Sequence, residues 1–105
     1  MAEKTIVLFC GLGMSTSSMV RKMQKAAEAQ GKDYSIAAYA LSEESLYAPT
    51  ADAVLIGPQV RFELNNMRKR NPDKIITDIP MRTYGLMDGK GALELAEKAM
   101  AEGVK

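Results

Sequence analysis

Cys10 is the sole cysteine of the 105-residue chain. It stands where the apolar run Thr5-Ile6-Val7-Leu8-Phe9 gives way to small and hydroxylated residues, Gly11-Leu12-Gly13-Met14-Ser15-Thr16-Ser17-Ser18. A strand, a turn rich in glycine and hydroxyls, and a helix start, in that order, direct several backbone N–H groups inward, and the helix N-terminus adds its partial positive charge. A cradle of this kind receives an anion and favours the thiolate form of a cysteine placed in it. The sequence contains no histidine, so for covalent handling of a phosphoryl group Cys10 is the best nucleophile available. One thiol and no imidazole also argue against a metal site, and no cofactor is implied.

Simpler readings account for part of this pattern. A lone cysteine after an apolar strand is often a buried small residue, and Ser15 or Thr16 can serve merely as a helix cap. Buried filler does not need Gly11 and Gly13, however, and one cap does not use the four hydroxyls of Ser15 through Ser18. The glycine pair lacks the third glycine of a dinucleotide fingerprint, and no Gly-Lys-Ser/Thr follows it. The nearest phosphate-handling pattern is the Cys-x5-Arg-Ser/Thr loop of cysteine-dependent phosphatases. Counted from Cys10, the arginine position holds Thr16 and the next holds Ser17. Without a guanidinium to clamp the equatorial oxygens, such a loop suits a carrier that passes phosphate onward better than a hydrolase.

The elements that must position this loop alternate in type. Thr5–Phe9 reads as a buried strand of a parallel sheet. Thr16 to about Gln30 reads as an amphipathic helix, with Val20, Met23 and Ala27 inward and Arg21, Lys22, Lys25 and Glu28 outward, ended by Gly31. Ser35–Ala40 is a second strand, and Ser42–Tyr47 a short helical turn capped by Ser42. Ala53–Ile56 is the third strand, closed by Gly57-Pro58. Gln59 to Asn71 is read as one long helix, with Pro72 just beyond it. Lys74–Ile79 is the fourth strand, Met81–Gly91 a loop, and Ala92 to about Glu102 the last helix. The expected fold is α/β: one domain over residues 1–105, with a four-stranded, parallel, open, doubly wound sheet, helices on both faces and the cysteine loop after the first strand. Ligands of such sheets bind outside the carboxyl ends of the strands, at the switch point. Gln59, following the third strand, is therefore expected beside Cys10.

Composition bounds the rest. Hydrophobic residues make up 47% and charged residues 26%, the balance of an ordinary globular domain. A formal net charge of +1 supplies no global field toward nucleic acid or a membrane. No apolar run approaches the roughly 20 residues of a membrane helix, and Met1-Ala2-Glu3-Lys4 lacks a signal-peptide core. A single exposed thiol survives best in a reducing compartment. The expectation is a cytoplasmic protein, not inserted in a membrane and without nucleic-acid partners.

Leu8-Phe9-Cys10, the loop Cys10-x-x-Gly13-Met14-Ser15-Thr16-Ser17, the run Asp52-Ala53-Val54-Leu55-Ile56-Gly57-Pro58-Gln59 and Tyr84-Gly85-x-x-Asp88-Gly89 together resemble the enzyme IIB component of the bacterial sugar phosphotransferase system, lactose/cellobiose (chitobiose) type. The resemblance covers nearly the whole chain, in order. It implies that Cys10 accepts a phosphoryl group from a phosphohistidine on enzyme IIA. Cys10 then gives the group to a sugar, a β-linked disaccharide, held by the membrane component enzyme IIC. It further implies that Gly11 to Ser18 form the phosphate loop with Gln59 as neighbour, and that the chain works transiently at the inner face of the membrane; a relay role is compatible with a monomer. Met14, Met19, Met81, Met87 and Tyr84 are candidate docking contacts, with core packing of most of them as the alternative reading. The alternatives carried alongside are a small cysteine-dependent phosphatase or arsenate-reductase-like enzyme, which needs an arginine from elsewhere, and a redox-sensing or regulatory binding module, which needs a partner thiol.

Overall fold

The computed structural model describes residues 3–10 and 14–103, with the side chains of 14–16 excepted. Strand β1 (Lys4–Cys10) leads to helix α1 (Met14–Ala29) and strand β2 (Tyr34–Ala40). A 3₁₀ turn (Leu41–Glu43), the one-turn helix α2 (Glu44–Tyr47) and a second 3₁₀ turn (Ala48–Thr50) lead to β3 (Ala53–Ile56). A 3₁₀ segment (Pro58–Glu63) runs into α3 (Leu64–Arg70), followed by β4 (Ile76–Asp78), α4 (Met81–Gly85) and α5 (Gly89–Glu102).

The four strands form one sheet in the order β2-β1-β3-β4, with every pair parallel. Side chains alternate across a strand, and β1 uses both faces. Ile6 and Leu8 join a core with Met19, Met23 and Ala27 of α1 and Ala92, Leu93 and Ala96 of α5. Val7 and Phe9 join the opposite core with Ala48, Val54, Ile56, Val60, Met67 and Ile76. Helices α1 and α5 thus cover one face and the α2 and α3 segments the other, which is the expected doubly wound arrangement. The chain steps from β1 to β2 on one side and then to β3 on the other, so the switch point lies between β1 and β3, at whose carboxyl edge Cys10 stands.

Several boundaries differ from the sequence expectation, each for a local reason. Strand β1 runs on through Cys10, which pairs in register with Ala40. Ser42 caps nothing; the Ala40 N–H donates instead to Glu43 Oε1 at 3.3 Å. The single helix expected over Gln59–Asn71 is broken. Pro58 opens a 3₁₀ segment in which Val60 leaves helical geometry (φ −122°, ψ 23°), so that its buried side chain reaches the core, and regular α-helix starts only at Leu64. Strand β4 is shorter than Lys74–Ile79 because Lys74 turns away to donate its ammonium to the carbonyls of Pro49 and Ala51. On the outer edge of β4, the Arg68 guanidinium donates to the Ile76 carbonyl at 2.8 and 3.2 Å.

The expected loop Met81–Gly91 is in fact helix α4 and the first turn of α5. Pro80, at the N-cap, accepts from the Tyr84 N–H at 3.0 Å. Asp88 caps α5 by accepting from the Gly91 N–H at 2.9 Å. Gly31 ends α1 as expected: its φ of +70° is open to glycine without steric cost, and the Gly31 and Lys32 N–H groups close back on the carbonyls of Glu28 and Ala27.

Two ties fasten the helices. Glu44 accepts both Nε and Nη2 of Arg70, at 2.9 and 2.6 Å, and Nδ2 of Asn71 at 2.8 Å. Arg70 Nη2 also reaches Glu63 Oε2 at 3.2 Å. The Arg70 guanidinium, against some opposing burial and with help from Asn71, holds the Glu44 carboxyl below its usual 4.5. At the amino end of β2, Glu97 accepts from the Lys32 ammonium and the Tyr34 hydroxyl. Burial first, and then the bond to Glu97, raise the Tyr34 hydroxyl above its ordinary range.

Where α1 meets α5 the backbones approach so closely that a Cβ on Gly89 would fall 2.4 Å from the Lys22 carbonyl carbon and 2.7 Å from the Met23 nitrogen. Gly89→Ala must therefore push α5 off α1, and a loss of about 2 kcal/mol is expected, read as a lowered urea midpoint; an unchanged midpoint would contradict this packing. The contribution of Glu44 to stability is fully present above about pH 4.5 and is lost as pH falls through its lower folded value. Since Arg70 is half exposed, Glu44→Gln is expected to cost about 1 kcal/mol at neutral pH. The variant's urea midpoint should approach that of the parent chain only as pH falls well below 4.5; a constant gap at all pH values would show that the ion pair is not the cause.

Candidate functional site

The site is built where β1 and β3 end. Cys10 is the last residue of β1 and only 4% exposed. On the β3 side the Gly57 N–H donates to the Phe9 carbonyl at 3.0 Å, which holds the Gly57-Pro58-Gln59 turn against the cysteine. A Cβ on Gly57 would lie 3.5 Å from Cys10 Cβ and 2.9 Å from Gln59 Oε1. The cysteine and the glutamine amide therefore flank a single glycine, and the absence of a side chain there leaves room for the amide to lean toward the cysteine. Gln59 is exposed, and the amide atom nearest the glycine is its oxygen, an acceptor.

Of the other residues singled out from the sequence, Gly11, Leu12 and Gly13 lie outside the described residues, as do the side chains of Met14, Ser15 and Thr16. The backbone of Met14 to Ser18 forms the start of α1, which begins two residues before the expected Thr16. Ser17 is exposed. The Ser18 hydroxyl accepts from Arg21 Nη2 at 3.3 Å and so is engaged one turn along the helix.

The docking candidates separate. Met19 is fully buried and Tyr84 is 6% exposed, both in the core beneath α1 and α5; they pack the fold and cannot be contact residues. Met87 is half-buried against the same core. Met81 is 75% exposed, immediately after β4. It borders a recess of about 500 Å³ lined by Pro58, Arg61, Asp78, Ile79, Pro80 and Met81, at the carboxyl ends of β3 and β4. Within it Arg61 Nε meets Asp78 Oδ2 at 3.2 Å. Sequence reading missed this pair: Arg61 was absorbed into an expected helix and Asp78 into an expected strand, and nothing in their spacing joins them. The arginine required by a phosphatase is not Arg61 in this arrangement, because its guanidinium is turned to Asp78. Among the described residues no group of three or more Cys, His, Asp or Glu side chains is placed to hold a metal ion. The groups with displaced pKa values belong to the Glu44–Arg70 and Lys32–Tyr34–Glu97 ties, away from Cys10.

Residues 5–95 match the family described as the PTS system, lactose/cellobiose-specific IIB subunit. This chain belongs to that family. It is 41% identical over 110 aligned residues to the galactose-specific EIIB component of Lactococcus lactis subsp. cremoris, covering 95% of this chain and 99% of the relative. The oligo-beta-mannoside-specific EIIB component of Bacillus subtilis is 39% identical over 99 residues, covering 92% and 96%. Among solved structures, the cellobiose-specific IIB protein of Borrelia burgdorferi superposes with a TM-score of 0.79 at 33% identity over 94% of this chain and 93% of that one. The lactose-specific IIB domain of Streptococcus pneumoniae shares the fold with a TM-score of 0.82 at 14% identity, over 92% and 97%. The chain is thus an EIIB-type component of a sugar phosphotransferase system, a class of phosphotransferases that works with IIA and IIC partners.

The shared space at Gly57 leads to an expected outcome. The φ of −68° at Gly57 suits alanine, and Cys10 Cβ is at ordinary contact distance from the new Cβ, so Gly57→Ala should fold normally while displacing the Gln59 amide. Gly57→Ala and Gln59→Ala should each slow phosphoryl transfer, by about tenfold for one lost hydrogen bond, and the double variant should be no slower than either. Additive losses in transfer kinetics would separate the two residues.

Proposed function

We propose that this chain is the phosphocysteine relay of a sugar phosphotransferase system. Cys10 attacks as thiolate on a phosphohistidine of enzyme IIA: the S–P bond forms, the N–P bond breaks, and the electron pair returns to the imidazole nitrogen. In the second half-reaction a hydroxyl oxygen of the sugar, a β-linked disaccharide held by the membrane component enzyme IIC, attacks the same phosphorus. The S–P bond then breaks and the thiolate is restored, while the hydroxyl proton passes to water or to a base on the acceptor side. These steps take place in the cytoplasm, at the inner face of the membrane.

The observation that carries this reading is the position of Cys10 at the carboxyl end of β1, at the switch point of the sheet. The turn bearing Gln59 lies on one side, and the start of α1 follows four residues later. Phosphocysteine carries nearly two negative charges. Backbone N–H groups of the first turn of α1, with those of Gly11 to Gly13 and the hydroxyls of Ser15, Thr16 and Ser17, are expected to receive them. This neutral, hydrogen-bonding cradle binds the group without a fixed cation to trap it, which suits onward transfer. The similarity to proteins named cellobiose-specific and oligo-beta-mannoside-specific supports a β-linked sugar.

Incubation with the general phosphotransferase relay and enzyme IIA should add one phosphoryl group to the chain, read by intact mass, and none to Cys10→Ser. A Cys10→Ser protein that still gains the group would overturn the assignment.

A further inference from the structure

The net charge of +1 conceals a segregated surface. Arg21, Lys22 and Lys25 are exposed on α1 and, with Ser18, line a shallow recess of about 290 Å³. The close approach of Gly89 to the Lys22 backbone brings the exposed Lys90 alongside them from the first turn of α5. Among the described residues the ion pairs use Lys32, Arg61 and Arg70 and none of these four cations. The acid at this end of α5, Asp88, is turned onto the Gly91 N–H as the helix cap. The next acids on the two helices, Glu94 and Glu28, stand a turn beyond Lys90 and in the last turn of α1. Lys90 occupies a helix start, where the dipole disfavours a cation, so its position is not explained by helix stability. Beside the patch, three residues before Gly89, Leu86 is 68% exposed.

We propose that this α1–α5 face binds anionic phospholipid at the membrane surface. Four cations with no acidic partner, spread over two helices packed side by side rather than gathered in a cleft, match a plane of headgroups, and an adjoining exposed leucine adds apolar contact at the interface. No described helix is long and apolar enough to cross a membrane, so the contact is peripheral. Helix α1 begins four residues after Cys10, so the patch lies along the helix that follows the cysteine. Its use rests on the proposed reading that the phosphoryl acceptor is a membrane component: surface binding would concentrate the chain beside that acceptor.

The test is flotation of the full chain with vesicles of phosphatidylcholine alone or mixed equally with phosphatidylglycerol, a readout independent of phosphoryl transfer. Binding is expected only to the phosphatidylglycerol vesicles. It should vanish near 1 M salt, where the screening length is about 3 Å, and should weaken about tenfold or more in the Lys22→Glu, Lys25→Glu double variant. The Lys69→Glu, Lys98→Glu variant changes net charge equally at exposed sites elsewhere and should bind as the parent does. No phosphatidylglycerol-dependent binding, or equal weakening in both variants, would overturn the proposal. So would an absence of lipid binding together with slower transfer from soluble enzyme IIA in the Lys22→Glu, Lys25→Glu variant, which would make the patch a dock for an acidic protein. If lipid binding holds while Cys10 proves not to be phosphorylated, the relay reading fails and the surface stands.

Discussion

The pairing of β1 along both edges is the constraint on which the rest of the structure depends. Its seven residues are matched by β2 along their length and by β3 over Ile6 to Phe9, and Ile6 through Phe9 are essentially without solvent contact. Because Ile6 and Leu8 serve one core and Val7 and Phe9 the other, a slip of one residue would exchange the two sets. The register that satisfies both cores also places Cys10, opposite Ala40, at the carboxyl end of the strand, so its position is set by packing several residues upstream of it.

That dependence explains what could be read from the sequence. Strands buried on both faces appear as continuous apolar runs, and Thr5–Phe9 and Ala53–Ile56 were legible for that reason, as were the parallel topology and the approach of Gln59 to Cys10. The elements that escaped are those whose conformation is decided by partners distant in sequence. Val60 abandons helical geometry to fill the second core. Lys74 leaves its strand for the carbonyls of Pro49 and Ala51. Tyr84-Gly85 resembles a breaker, yet the Pro80 carbonyl accepts from the Tyr84 N–H and a helical turn forms. Around Cys10, the nearness of the Gly57-Pro58-Gln59 turn was legible because that turn follows a strand recognisable by its apolar run. The Arg61–Asp78 pair was not, because each residue is ordinary and their meeting is a product of the fold. Met19 and Tyr84 show the converse error, in which amphipathic residues near a functional loop serve the interior instead.

The distribution of interactions also separates stability from chemistry. The two charged ties lie on the helices and at the amino end of β2, whereas the Cys10 edge is organised by backbone contacts and a glycine.

The outer edge of the sheet has a bearing on behaviour at high concentration. Strand β4 is only three residues long, and since the Ile75 carbonyl accepts from Val54, the neighbouring Ile76 carbonyl points away from the sheet. That outward acceptor is taken by the Arg68 guanidinium. An arriving strand from another copy would find a short ladder whose first acceptor is already filled and guarded by a positive charge, the kind of obstruction that keeps exposed edges from templating aggregates. Arg68 thereby protects the solubility of a chain whose sheet is otherwise open on that side.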